Sequence, residues 1–207
     1  PVSQVGSSPI VVFALTSLSL QTVKDFVAYA KAKPGQLNYA SSGIGSGLHL
    51  TGELFKSVAG FDMVHVPYKG VGQAASDIAT GRIQVLVNTY SGTIGHIKAG
   101  RLRPIITGGL RRSTHMPDVP TGAEAGYPGF QSTAWHAAMV PAGTPRALVK
   151  QLHQSIVTAL ATRELRARFS TLDVEPIGSS PEETASFMRT EWEKWAKLIK
   201  SVGLAQQ

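Results

Sequence analysis

Apolar positions change period repeatedly along the chain. Residues 2–14 are apolar and rich in β-branched side chains, interrupted by Gly6, Ser7, Ser8 and Pro9, and read as two short strands with a turn or bulge between them. Residues 16–20 read as a loop. Val23, Phe26, Val27 and Ala30 then fall at i, i+3, i+4 and i+7, one face of a helix. Thr22 and Asp25 form a capping-box pattern at its start, and Lys33-Pro34-Gly35 stops it. From there a unit repeats: strand 37–40, helix 48–59 with Leu50, Leu54, Phe55 and Val58 inward, strand 63–66, helix 72–80, strand 83–87, short helix 93–99 and strand 102–107. The run Ile83, Gln84, Val85, Leu86, Val87 is almost continuously apolar, as expected when both sheet faces are covered. This rhythm predicts a parallel-rich α/β sheet with right-handed crossovers.

The second half has another texture. Residues 108–129 are rich in Gly and Pro and have little periodicity, which suits a long connection between substructures. Residues 131–140 read as a strand carrying Trp135 and His136. Thr144 and Pro145 read as cap and first residue of a helix whose inner face is Leu148, Leu152, Ser155, Ile156 and Ala159. A short helix over 164–171 and a short strand over 174–177 follow. Ser180-Pro181-Glu182-Glu183 is a capping box with proline in first place. It opens a last helix whose stripe of Phe187, Met188, Trp192, Trp195, Leu198, Ile199 and Val202 is expected to be core.

Composition narrows the class. The 207 residues suffice for one large domain or two small ones, and no apolar run is long enough to cross a membrane. No basic-then-apolar leader pattern stands at the start, and the first residue is Pro1 rather than Met. Cysteine is absent, so disulfide and thiol chemistry are excluded. The net charge of +7 admits an anionic partner. The basic residues are scattered, however, and neither Arg101, Arg103, Arg111, Arg112 nor Arg163, Arg166, Arg168 is interleaved with aromatics as a single-strand binder requires. No nucleic-acid-binding motif is present.

The candidate chemistry centres on residues 39–50. A strand end, a loop of Ser41, Ser42, Gly43, Ile44, Gly45 and Ser46, and a helix start together make an anion site. The first helical N–H groups lack partners there, the helix dipole is positive there, and glycines let backbone approach a ligand. The enzyme motifs that this loop imitates are incomplete. A dinucleotide fingerprint needs glycine where Leu48 stands, no Gly-Lys-Ser/Thr follows, and no Gly-x-Ser-x-Gly surrounds Ser42 or Ser46. His49 and Glu53 are four residues apart on one helix face; beside the serines they could suggest acid–base chemistry, but a surface or supporting pair explains them better. The six histidines have no metal-ligand spacing. Ligands of α/β sheets bind beyond the carboxyl ends of strands, which adds two more loops, at 67–70 with Tyr68 and at 88–92 with Asn88, Tyr90 and Ser91.

Taken together, these strings resemble one family. Asn38-Tyr39-Ala40-Ser41-Ser42-Gly43-Ile44-Gly45-Ser46, His49-Leu50-Thr51-Gly52-Glu53-Leu54-Phe55, His65-Val66-Pro67-Tyr68-Lys69-Gly70, Pro117-Asp118-Val119-Pro120-Thr121 and Pro141-Ala142-Gly143-Thr144-Pro145 are similar to the substrate-binding receptors of tripartite tricarboxylate transporters, the Bug receptors. The resemblance implies a type II periplasmic-binding-protein fold, two hinged α/β lobes closing on a carboxylate-bearing metabolite that is passed to membrane permease subunits. It implies a periplasmic protein freed of its signal peptide, without catalysis, cofactor, metal or nucleic-acid partner, and not embedded in the membrane. Ser41, Ser42, Gly43, Gly45, Ser46 and His49 would form the anion loop, with Tyr68, Asn88, Ser91 and Trp135 facing the cleft. In this frame 1–14 is a remnant of the first lobe with the crossover, 15–107 is the second lobe, and 108–207 is the returning part of the first lobe with the C-terminal helices. The family's N-terminal third, which supplies the other half of the grip, lies outside these residues, so an exposed half-core is expected. A ligand-sensing effector domain of a transcription regulator shares this architecture and is the alternative reading.

Overall fold

The computed structural model describes residues 1–204. Its spine is strand β1, Ser3–Leu15, a single 13-residue element where two short strands were expected. The Gly6–Pro9 segment does not turn the chain. It stays extended and the ladder absorbs it as a register shift between Gln4 and Gly6. β1 serves two sets of partners. Ser3 to Pro9 pair with β6 (Thr133–Ala138) and, around Gly6 and Ser7, with β7 (Glu175–Pro176). Ile10 to Leu15 pair with β4 (Val85–Thr89) and β5 (Leu102–Thr107).

Around the second half of β1 the strand order is β3 (Val64–Pro67), β2 (Asn38–Ser41), β4, β1, β5. β2 runs parallel to both β3 and β4, as the alternating rhythm predicts. β1 runs against β4 and β5, so the sheet is mixed, because this strand enters from the other half of the molecule and is inserted between them. The apolar run of β1 divides by parity. Ile10, Val12 and Ala14 join one core and Val11, Phe13 and Leu15 the other, so each face of the sheet is buried.

The first core holds α1 (Val23–Ala32), with its Thr22–Asp25 capping box in place, and α2 (Gly47–Ala59). Phe26, Phe55 and Phe130 are fully buried at its centre. The second core takes Ala74 and Ile78 from the stretch expected as one helix over 72–80. There a 3-10 turn at Val71–Ala74 precedes the short α3 (Ala75–Ala79). α4 (Ile94–Lys98) closes the β4–β5 crossover. The segment 109–130 contains no helix or regular strand but supplies Met116, Val119 and Phe130 to the cores.

Beyond it lie α5 (Arg146–Ala161), α6 (Arg163–Thr171) and α7 (Pro181–Ser201). Pro145, not Thr144, takes the N-cap position of α5. The Thr144 hydroxyl donates to the Pro141 carbonyl at 2.8 Å, closing the preceding turn instead. The expected inner face of α5 is largely uncovered: Leu148 and Leu152 are exposed and only Leu160 of this helix is buried. α7 has the expected capping box at Ser180 and Glu183. Its C-terminal half lays Trp195, Leu198 and Ile199 on the first core, beside α2, whereas Trp192 is 71 % exposed and belongs to no core. One helical turn separates the two tryptophans less than their roles do.

Candidate functional site

β2, β3 and β4 point the same way, so the residues that follow them meet at one edge of the sheet. The loop after β2 is shaped by two positive-φ glycines, Gly43 (φ 120°) and Gly45 (φ 75°), a conformation that other residues rarely adopt. Its serines brace it from within. Ser41 is fully buried; its hydroxyl accepts the Gly43 N–H at 3.2 Å and lies 2.6 Å from His65 Nε2. The Ser46 hydroxyl donates to the Gly43 carbonyl at 2.8 Å and accepts the His49 N–H at 3.2 Å, which makes Ser46 the N-cap of α2.

The consequence is a loop braced by the Ser41 and Ser46 hydroxyls, with the first amides of the following helix left over. The first backbone bond of α2 runs from Leu50 N–H to the Ser46 carbonyl. The Gly47 and Leu48 N–H groups precede it and have no helical partner. Ser42, Gly45 and Gly47 are exposed and Gly43 is half-buried. The surface offered to solvent is therefore a ring of backbone around a helix N-terminus.

Beneath the loop lies a polar stack. The His49 and His65 rings are 3.8 Å apart at 15°, and the Tyr39 ring lies 4.9 Å from that of His65. His49 Nδ1 accepts the Gly45 N–H at 3.0 Å. The Tyr39 hydroxyl donates to Glu53 Oε1 at 2.7 Å, and Lys56 Nζ reaches the same oxygen at 3.0 Å and Asp62 at 3.1 Å. Burial, reinforced by the bond to Glu53, holds the Tyr39 phenol well above its ordinary value. Burial keeps His49 below the usual imidazole value. Burial and the neighbouring His49 bring His65 down to about 4. Both rings are thus neutral at neutral pH. The Ser46 hydroxyl meets the His49 backbone rather than its ring, and Glu53 faces Tyr39 and Lys56, so Ser46, His49 and Glu53 do not assemble a nucleophile–base pair. The Ser41 hydroxyl beside His65 Nε2 is fully buried.

The other expected residues fall into two groups. Asn88 and Ser91 lie at the end of β4. Asn88 is 5 % exposed; its Oδ1 accepts the Thr89 N–H at 2.9 Å, and its buried Nδ2 has no partner among the described residues. Ser91 Oγ is 3.2 Å from Thr89 Oγ1. Tyr68 borders the loop through its carbonyl, but its hydroxyl donates to Asp77 Oδ2 at 2.6 Å, and burial with this bond pushes it up to about 12. Trp135 sits on β6 opposite Ser7 and meets Phe187 edge-on at 5.4 Å. Ser7 is three residues along β1 from Ile10, which faces Thr89 of β4, so Trp135 lies roughly 10 Å along the spine from the β4 end. His65 and Tyr39 were not singled out from sequence as part of the site. Their alliance depends on the parallel register Tyr39↔His65, which no local pattern encodes. Among the described residues no three His, Asp or Glu side chains are grouped to hold a metal.

Residues 1–204 match the family described as tripartite tricarboxylate transporter family receptor. The chain belongs to that family. It is 34 % identical over 203 residues to Protein BugT of Bordetella pertussis, covering 98 % of this chain and 62 % of BugT. It superimposes on Rpa4515 of R. palustris, solved with adipate, at a TM-score of 0.87 and 30 % identity, over 98 % of this chain and 68 % of that one. MatC of Rhodopseudomonas palustris, solved with bound malate, gives 0.80 at 25 % identity, over 96 % and 69 %. The chain thus spans about three fifths of the length of BugT. The receptor family members share its mixed α/β architecture.

Proposed function

We propose that this protein is an extracytoplasmic solute-binding receptor that captures a small carboxylate-bearing metabolite in the periplasm and presents it to the membrane permease subunits of a tripartite transporter. The observation that carries this reading is the 41–46 loop, whose Ser41 and Ser46 hydroxyls brace it internally and leave the Gly47 and Leu48 amides free at a helix N-terminus. A carboxylate matches that donor pattern and the dipole behind it. The Gly47 and Leu48 amides would receive the ligand with exposed Ser42 beside them, while Ser41, Gly43, Gly45, Ser46 and His49 hold the geometry of the loop through their mutual bonds. The unpartnered Asn88 Nδ2 would donate from the adjacent strand end, with Ser91 beside it. Tyr68 would border the site, and Trp135 would approach from the other half of β1.

Membership of the receptor family supports the role, and the adipate and malate bound by two similar proteins support a dicarboxylate. Nothing observed favours the transcription-regulator reading. The test is calorimetry of the full-length gene product against mono-, di- and tricarboxylates. Saturable binding of one class, lost in a Ser46→Ala, Asn88→Ala double variant, is expected. Heat-silent mixing with every acid would overturn the reading.

A further inference from the structure

A buried imidazole, His49, and a half-buried one, His65, stacked face to face under a ligand loop are more than is needed to hold the loop up. An apolar pair would pack there without the cost of burying polar nitrogens. What the imidazoles add is hydrogen-bond direction. His49 Nδ1 takes the N–H of Gly45, a residue at positive φ in the middle of the loop, and His65 Nε2 touches the hydroxyl of Ser41 at the root of the loop. Two points of one six-residue loop are therefore pinned by two rings that are themselves pinned to each other.

We propose that His49 and His65 are positioning residues, which set the shape of the 41–46 loop while both are neutral and let it go when the pair takes up a proton. The consequence for carboxylate capture rests on the function proposed above; the control of the loop does not. The chemistry follows from the donor inventory. A neutral imidazole has one acceptor nitrogen, and His49 uses it at Nδ1 for Gly45, so its own proton is on Nε2. An imidazolium has two donors and no acceptor, so a protonated His49 would set an N–H against the Gly45 N–H. A charge on either ring also faces the other at 3.8 Å.

The groups around the pair decide when this happens. From β2, Tyr39 stacks on His65 and presents a phenol already bound to Glu53. From α2, Glu53 favours the charged rings and Lys56 opposes them. From the turn before β3, Asp62 pairs with Lys56. Because Glu53 is engaged by both Tyr39 and Lys56, it does not form an ion pair with either imidazole. Burial dominates, and both rings resist protonation until the solution is clearly acidic.

The experiment is NMR of the full-length protein without ligand, following the Gly45 amide and the imidazole nitrogens of His49 and His65 as pH is lowered, with adipate affinity measured at neutral pH in parallel. The expected result is the Nε2–H form of His49 at neutral pH and a Gly45 amide that shifts in step with protonation of the pair. His49→Asn, which keeps an acceptor near Nδ1, should hold the Gly45 amide in place and remove that step. His49→Phe should release the amide and weaken adipate by about tenfold, the scale of one lost charge-assisted contact. A Gly45 amide that ignores imidazole protonation, or that stays put in a folded His49→Phe, would overturn the proposal. If the amide behaves as expected while adipate and other acids fail to bind any form, the positioning role stands and the carboxylate reading falls.

Discussion

Gly52 of α2 lies flat on the ring of Tyr39, so close that a Cβ built at Gly52 would overlap the ring, lying 2.8 Å from Cζ. The glycine allows the helix that carries the loop to seat on the strand that feeds it. Gly52→Ala gains up to about 1 kcal/mol in helix propensity, but the overlap costs about 1–3 kcal/mol. A net loss of up to about 2 kcal/mol is expected, read as a lower urea midpoint with an unchanged slope.

The Tyr39–Glu53 bond joins the same two elements through polar atoms. Tyr39→Phe leaves the nearly buried Glu53 carboxylate with Lys56 alone, and a loss of about 1–3 kcal/mol is expected. Adding Glu53→Leu to Tyr39→Phe should recover part of that loss in the same urea experiment, because the orphaned acceptor is then gone.

Acid should destabilise the fold in two separable stages. His49 and His65 titrate lower in the folded than in the unfolded chain, so the unfolded state takes up protons first. Their contribution is complete above about 6.5, and that of His65 is lost as pH falls through about 4. A fully expressed shift for His65 would be worth about 3 kcal/mol; with the ring half open to solvent, about 1–2 kcal/mol is expected. Asp25, Glu124 and Glu183, held below their ordinary values by capping and neighbouring bonds, add stability that is lost only in more acidic solution. Thermal melts of His65→Gln across this range should flatten the first stage and leave the second.

Ser46→Ala removes the cap of α2 and the bond to the Gly43 carbonyl together. About 1 kcal/mol of stability should be lost. The larger effect should be on dicarboxylate affinity in calorimetry, since the free amides of Gly47 and Leu48 depend on that first turn.

The two tryptophans of α7 should respond oppositely to truncation. Trp192→Gln should change stability by no more than about 0.5 kcal/mol, as for an exposed side chain. Trp195→Ala should cost about 2 kcal/mol or more, since its ring packs on the first core and its indole N–H donates to Glu191 at 3.0 Å. Chemical denaturation of both variants checks the contrast.

What the sequence revealed, and what it hid, follows from the range of each interaction. The capping boxes at Thr22 and Ser180 were legible because each is made within a few residues. The loop after β2 was legible for the same reason. The continuity of β1 was not, because Gly6 to Pro9 carry turn chemistry and only pairing with β6 and β7 holds them extended. The antiparallel insertion of β1 and the meeting of His65 with His49 depend on strand order, which local pattern does not record. The stripe on α5 was read correctly as apolar, but Leu148 and Leu152 find nothing to cover them among the described residues.

β1 passes from one set of partners to the other between Pro9 and Ile10 without leaving the extended conformation. A strand bonded along both halves resists shear but yields to twist, so it would behave as a torsion bar rather than a loose joint.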